Sequence, residues 1–156
     1  MTQPKSSPRT VQAQAIRLLA RREYARAELE QKLVAKGCAR VEVRAALDEL
    51  AAHGYLSDAR YARAMAAQGA GRYSRRRIAE ELKAKGVARS DIDTALAEAE
   101  IDDDAALLAL WQRRFGRSPE TEREKARQVR FLQARGFALS TILRFLRSAG
   151  ASDPDE

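Results

Sequence analysis

Apolar residues recur along this chain at helical spacing, and the same pattern occurs three times. The first two copies share every spacing and carry two matched sets, Leu29, Leu33, Gly37, Val43 and Leu47, and Ile78, Leu82, Gly86, Ile92 and Leu96. The third copy has Gln128 in the first slot and then Leu132, Gly136, Ile142 and Leu146. The three glycines lie 49 and 50 residues apart, a period typical of tandem arrays. The chain is therefore predicted to contain three copies of one supersecondary unit.

Each copy is predicted to contain three helices. The middle helix ends near the glycine, which permits the left-handed turn that closes helices, and the last helix begins after it. An apolar residue follows each glycine and is expected to fold back onto the middle helix: Cys38, Val87 and Phe137. The first helix of each copy is marked by apolar residues: Ile16, Leu18 and Leu19; Tyr61 and Met65; and Leu107, Leu108, Leu110, Trp111 and Phe115. Ser57 with Asp58, and Ser118 followed by Pro119, are expected to start helices.

These elements predict an all-α fold in which about nine helices, as three tandem three-helix repeats, form an elongated, curved array. No proline occurs from Arg9 to Ser118, which agrees with this prediction because proline breaks helix interiors. The expected organisation is a flexible N-terminal tail at residues 1–10, repeat 1 at 11–54, repeat 2 at 55–100, repeat 3 at 101–149, and an acidic, flexible C-terminal tail at 150–156.

The charge of the chain favours anionic partners. The formal net charge is +7, and the last six residues carry three acids, so the body of the chain is more basic than this total. Nucleic acid, acidic protein surfaces and anionic lipid all attract such a protein. No apolar run approaches the length of about 20 residues that spans a bilayer, and the polar start MTQPKSSPR lacks the apolar stretch of a signal peptide. We therefore expect a cytoplasmic protein with no membrane partner.

Catalytic and metal-binding motifs are missing from the sequence. Cys38 occupies an apolar slot of the repeat, which favours a small buried hydrophobe over a reactive thiol. His53 precedes a glycine at an expected helix end, where an imidazole meets the last carbonyl groups. The acids at 102–104 are expected to cap a helix rather than to bind magnesium. There is no HExxH, paired CxxC or GxxxxGK[ST] motif. The sequence therefore predicts a protein that is not an enzyme, without catalytic residue, metal, cofactor or small-molecule substrate.

One stretch of the second copy, GRYSRRRIAEELKAKG, places four arginines in six residues, at Arg72 and Arg75–Arg77. Ser74 is the expected N-cap of the helix that follows, so three arginines lie in its first turn, where positive charge opposes the helix dipole. The solvated end of a helix is the alternative interpretation, but such ends usually carry acids. The cluster therefore predicts a surface that binds a partner.

The segments HGYLSDARYARA and GRYSRRRIAEELKAKGV resemble the RecX family of bacterial recombination modulators, and the resemblance covers about residues 12–148. It implies a non-enzymatic regulator that binds in the groove of the RecA–DNA filament and depresses its ATPase, strand-exchange and co-protease activities, which regulates homologous recombination and the SOS response. The resemblance implies that one element of this chain binds the partner: Arg72, Tyr73, Arg75, Arg76 and Arg77. The third copy departs from this element, since it has Arg123, Glu124 and Lys125 at that place.

Two other functions remain open at this point. A stand-alone helical DNA-binding protein would contact phosphates of single- or double-stranded DNA through a basic stripe, Arg21, Arg22, Arg26, Lys32 and Lys36. The same residues are equally typical of an ordinary solvated helix face, because acids are interspersed among them. A helical scaffold that joins other proteins is the third hypothesis.

Overall fold

The computed structural model describes residues 8–151, which contain nine α-helices and no strand. The helices of the first repeat are α1 Pro8–Leu19, α2 Arg26–Ala35 and α3 Arg40–Ala52. Those of the second are α4 Asp58–Gly69, α5 Arg75–Ala84 and α6 Arg89–Glu98. Those of the third are α7 Asp103–Arg114, α8 Glu122–Ala134 and α9 Leu139–Ala151. The prediction of an all-α fold made of three-helix repeats is confirmed.

The ends of the helices extend into both predicted tails. Residues 8–10 belong to α1, and residues 150–151 belong to α9. The rest of the predicted tails, residues 1–7 and 152–156, lies outside the described residues. The boundaries between the repeats stay a prediction.

The middle helix of each repeat ends as the sequence predicts. Gly37, Gly86 and Gly136 have φ values of 98°, 82° and 97°, which is the left-handed region that side chains disfavour. The next residue in each copy donates its N–H back into the helix, from Cys38 to Leu33 O, from Val87 to Leu82 O and from Phe137 to Leu132 O, at 3.1–3.2 Å. This is the hydrogen bond of a Schellman turn. The three apolar residues after the glycines are buried, which confirms their predicted role.

The described chain divides into two compact units, each with its own core. The first consists of the described residues up to Met65 together with Glu81–Glu98, and the second of Ala66–Glu80 and the described residues from Ala99 onward. The first core includes Leu29, Leu33, Val43 and Leu47. The second includes Leu107, Leu110, Trp111, Leu132, Ile142 and Leu146. Leu82 and Leu96 are also buried, so the alignment by period places apolar residues in the interior as expected.

Gln128, the polar residue in an apolar slot of the third copy, is buried because it makes two internal hydrogen bonds. Gln128 is buried, and its Oε1 accepts a hydrogen bond from Trp111 Nε1 at 2.9 Å. Its Nε2 donates to the carbonyl oxygen of Arg117 at 3.1 Å. A buried indole N–H needs an acceptor, so the glutamine satisfies the only tryptophan of the sequence.

The predicted start of the helix after Ser118 is wrong. α8 begins at Glu122, and Thr121 is its N-cap, with Oγ1 accepting from Glu124 N at 3.1 Å. The carboxylate of Glu124 in turn accepts from Glu120 N at 2.8 Å. This reciprocal pattern is close to a capping box. The pair Thr121 and Glu124 accepts hydrogen bonds from two backbone N–H groups, whereas a helix start at Pro119 would offer only the hydroxyl of Ser118 as an acceptor. The helix therefore begins after Thr121.

Candidate partner-binding site

The basic turn, residues 72–77, leads from α4 into α5 and is organised by a buried serine. Ser74 Oγ accepts from Arg77 N at 3.1 Å, which confirms the predicted N-cap. The same hydroxyl donates to Gly136 O at 2.8 Å, and Ser74 N donates to Arg135 O at 2.9 Å. Two of these three hydrogen bonds fix the basic turn against the chain that follows α8, and the third caps α5.

The glycine after α8 permits this close approach. A Cβ atom at Gly136 would lie 2.4 Å from Ser74 Oγ and 2.5 Å from Arg77 Cβ, which is too close for any real contact. The same arrangement occurs in the first compact unit, where a Cβ at Gly86 would lie 2.8 Å from Ala27 Cβ. In both cases the glycine follows its contact residue by 59 positions. Each of these glycine turns therefore packs against the first turn of the preceding repeat's middle helix.

The arginines of the basic turn fall into two groups. Arg72, Arg75 and Arg76 are exposed, and Arg76 forms an exposed ion pair with Glu80, at 3.6 Å. Arg77 is half-buried and donates a hydrogen bond to the carbonyl of Ala134, the last residue of α8. Its guanidinium lies 4.4 Å from the centre of the Tyr73 ring. Arg72, Arg75 and Arg76 are thus available to a partner, while Arg77 and Tyr73 contact each other inside the unit.

An acid that is distant in sequence offsets the unfavourable charge at the start of α5. The backbone N–H of Arg75 donates to Asp103 Oδ1 at 2.7 Å, which places a carboxylate at the positive end of the helix dipole. Its neighbour Asp102 is the N-cap of α7, as predicted, and accepts from Ala105 N at 3.1 Å. In the first unit Asp58 accepts from Arg26 N at 2.7 Å. A distant acid therefore meets the start of each of these two helices, α2 and α5, and offsets the repulsion between nearby arginines and the positive end of the dipole.

A second feature combines Arg72 and Tyr73 of the basic turn with three arginines that the sequence did not predict, Arg113, Arg114 and Arg135. We call it the arginine groove, a depression of about 470 Å³ lined by Arg72, Tyr73, Leu110, Arg113, Arg114, Phe131 and Arg135. The Arg135 guanidinium lies 5.4 Å from the Tyr73 ring centre and 5.1 Å from that of Phe131. Within residues 8–151, none of the four arginines forms an ion pair with a carboxylate.

The signal for this groove was present but ambiguous. Arg113 and Arg114 lie in the last turn of α7, and Arg135 is the C-cap of α8. Basic residues at helix ends are ordinarily explained by the dipole. Only the packing of α7 and α8 brings these ends together, so the spacing along the chain did not indicate a common site.

The predicted DNA-binding stripe is largely engaged within the protein. Arg22 forms an ion pair with Glu28 and lies 3.6 Å from the Tyr24 ring centre. Arg26 contacts Asp48 at 2.5 Å, and Lys32 Nζ donates to the Tyr24 hydroxyl at 3.3 Å. The remaining two, Arg21 and Lys36, are exposed and make no side-chain hydrogen bond or ion pair within residues 8–151.

Tyr24 reflects the positive charge around it. Burial alone would raise the pKa of its hydroxyl, but the hydrogen bond from Lys32 and the nearby Arg22 charge outweigh burial and lower it. The hydrogen bond with Glu28 raises the pKa of Arg22. These cations therefore stabilise groups of their own unit.

His53 and Cys38, the two residues considered as catalytic candidates, lie at a helix end and in the core. His53 is the C-cap of α3, and its Nδ1 lies 2.8 Å from Glu49 O, as its place at a helix end predicts. Cys38 is buried, also as predicted. Over residues 8–151, no group of three or more histidine, cysteine or acidic side chains is placed to hold a metal ion. None of the helices in this range is both long and apolar enough to cross a membrane.

Comparison with known proteins gives matches along the whole repeat region. Three consecutive family models match: RecX, first three-helix domain, at residues 13–50; RecX, second three-helix domain, at 57–96; and RecX, third three-helix domain, at 102–146.

Individual relatives agree with these models. Regulatory protein RecX of Ectopseudomonas mendocina (strain ymp) is 46% identical over 143 residues, covering 90% of this chain and 95% of the relative. Regulatory protein RecX of Ralstonia pickettii (strain 12J) is 37% identical over 142 residues, covering 91% and 89%. The crystal structure of RecX from Lactobacillus salivarius is similar in fold, with a TM-score of 0.65 at 16% identity over 90% of this chain and 97% of that one. The identity to full-length relatives and the three consecutive domain matches show that this chain belongs to the RecX family of regulatory proteins.

Proposed function

We propose that this protein is a non-enzymatic regulator of the RecA recombinase. It binds in the groove of the RecA–DNA filament and lowers the ATPase, strand-exchange and co-protease activities of the filament, and so regulates homologous recombination and the SOS response. Membership in a family of regulatory proteins supports the general role. The observation that supports the contact itself is the exposed set Arg72, Arg75 and Arg76, held on a turn that Ser74 anchors.

The basic turn suits a contact with a large anionic assembly. Its backbone is fixed by the hydrogen bonds of Ser74, so little chain entropy is lost when a partner binds. Exposed positive charge accelerates the encounter with a negatively charged surface and helps to set orientation. Arg77 and Tyr73 support this turn from within, and the exposed arginines make the contact.

Stand-alone DNA binding is the alternative, and the stripe proposed for it has weaker support. Arg22, Arg26 and Lys32 each have a partner inside the first unit. A phosphate must displace these partners before it gains the full benefit of the positive charge. Only Arg21 and Lys36 of that set project without a partner in the described part of the chain.

The experiment is hydrolysis of ATP by RecA filaments on single-stranded DNA with increasing concentrations of the purified protein. We expect hydrolysis to fall and to reach a plateau at saturation. Unchanged hydrolysis at saturating protein would contradict the proposal. A second arm adds free double-stranded DNA in excess after inhibition is established, since added single strands would themselves form new filaments. Hydrolysis that recovers in proportion to the added DNA would support the stand-alone DNA binder instead, because such a protein is titrated by phosphates alone.

A further inference from the structure

We infer that the arginine groove is a docking site for a short acidic peptide segment that carries an apolar side chain. The groove lies wholly in the second compact unit, and it is formed by α7, α8 and the residues just before α5. This site is distinct from the exposed face of the basic turn at Arg75 and Arg76, which do not line it.

Charge is the first argument for an acidic ligand. Arg72, Arg113, Arg114 and Arg135 line one groove, and none of them forms an ion pair with a carboxylate within residues 8–151. The ends of α7 and α8 contribute only about half a negative charge each, so the groove stays strongly positive. Guanidinium groups match carboxylates with two parallel hydrogen bonds. Acidic side chains of a peptide therefore complement the walls.

The floor of the groove is apolar. Leu110 is 5% exposed and belongs to the core of the second unit, and the Tyr73 and Phe131 rings are half-buried beside it. A depression of about 470 Å³ falls within the range typical of ligand pockets. Such a volume accommodates a few residues of peptide, with one apolar side chain on the floor and acids toward the arginines.

The aromatic rings do not provide a base-stacking platform, which argues against nucleic acid. The Tyr73 ring is contacted by the guanidinium groups of Arg77 and Arg135, at 4.4 and 5.4 Å. The Phe131 ring is contacted by Arg135 and Arg114, at 5.1 and 5.6 Å. Single-strand binders stack bases on open aromatic faces, whereas here guanidinium groups already lie over both rings. These cation–π contacts restrain the guanidinium groups and leave their N–H groups to donate to carboxylates.

The test is fluorescence anisotropy with the full chain and a labelled peptide, Asp-Asp-Phe-Asp-Asp. We expect saturable binding, and about tenfold weaker binding of the peptide with alanine in place of phenylalanine. Arg113→Ala should weaken binding of the phenylalanine peptide by about tenfold, the effect of losing one charged hydrogen-bonding partner. Arg144→Ala is the matched control, since this exposed arginine lies on α9 and does not line the groove. Its affinity should equal that of the wild type.

Three results would overturn the inference. The first is equal binding of the phenylalanine and alanine peptides, which would show that the apolar floor is not used. The second is an affinity that does not change in folded Arg113→Ala. The third is binding of a labelled ten-nucleotide oligothymidylate that depends on Arg113 while the peptide fails to bind, which would assign the groove to nucleic acid. The assay contains no recombinase, so its result stands apart from the proposed function.

Discussion

Replacing Arg77 by alanine should destabilise the protein, whereas the same change at the neighbouring Arg76 should leave its stability nearly unchanged. The two arginines are adjacent in the first turn of α5, and the sequence gives them the same role. The structure separates them, because only Arg77 donates to the end of α8 and lies over the Tyr73 ring.

The magnitude follows from these contacts. A hydrogen bond from a charged donor contributes about 1.5–3 kcal/mol, and the lower end applies because Arg77 is half-exposed. The contact with the Tyr73 ring adds about 0.5–1 kcal/mol, and removing a cation from a helix start returns about 0.3–1 kcal/mol. The net loss for Arg77→Ala is about 1–2 kcal/mol. In Arg76→Ala, loss of the ion pair with Glu80 costs about 0.2–0.5 kcal/mol. Removing a positive charge from the start of the helix returns a similar free energy, so the two effects cancel.

Urea unfolding followed by circular dichroism and by Trp111 fluorescence measures both changes. With a denaturant slope of about 2 kcal/mol per molar urea, Arg77→Ala should lower the midpoint by about 0.5–1 M. The midpoint of Arg76→Ala should stay within error of the wild type. Equal midpoints for the two variants would refute the assignment of Arg77 to the interior of the unit.

Two further pairs of variants test the repeat geometry. Gly86→Val should destabilise the protein more than Gly37→Val. Valine at either position is strained by on the order of 1 kcal/mol or more, because φ is positive at both, but only at Gly86 would the new side chain also clash with Ala27 Cβ. Equal urea midpoints for the two variants would contradict this packing. Ser74→Ala should cost about 2–3 kcal/mol, since it removes a cap and takes away the hydrogen bond to the carbonyl of half-buried Gly136. Ser57→Ala removes only a cap and should cost about 1 kcal/mol. Equal decreases in melting temperature for the two serine variants would contradict a stabilising hydrogen bond from Ser74 to Gly136 O.

The fold was predictable because its signals are local. The spacing of apolar residues and glycines defines each helix pair within about 20 residues. The N-cap Ser74 lies only three residues before Arg77, whose N–H donates to its hydroxyl. The one wrong helix start arose where two local signals compete, Ser118 with Pro119 and Thr121 with Glu124. A proline suits a first helical turn, but the threonine and glutamate satisfy more backbone donors.

The candidate site was predictable only in part, because its decisive contacts join distant residues. Arg77 meets Ala134 across 57 positions, and Asp103 meets the N–H of Arg75 across 28. Neither pairing has a signature in residue spacing. The arginine groove was missed for the same reason, since Arg113 and Arg135 come from different helix ends.

We propose that the exposed arginines of the basic turn contact the recombinase filament. The most direct test compares Arg75→Glu/Arg76→Glu with the charge-matched control Arg89→Glu/Arg144→Glu, which alters exposed arginines of two other helices, α6 and α9. Both proteins are first shown to be folded by circular dichroism, and Arg77 is left intact in each. Hydrolysis of ATP by RecA filaments on single-stranded DNA is then measured. We predict that the first variant loses inhibition and that the control inhibits as the wild type does. Inhibition by folded Arg75→Glu/Arg76→Glu at wild-type concentrations would contradict the claim.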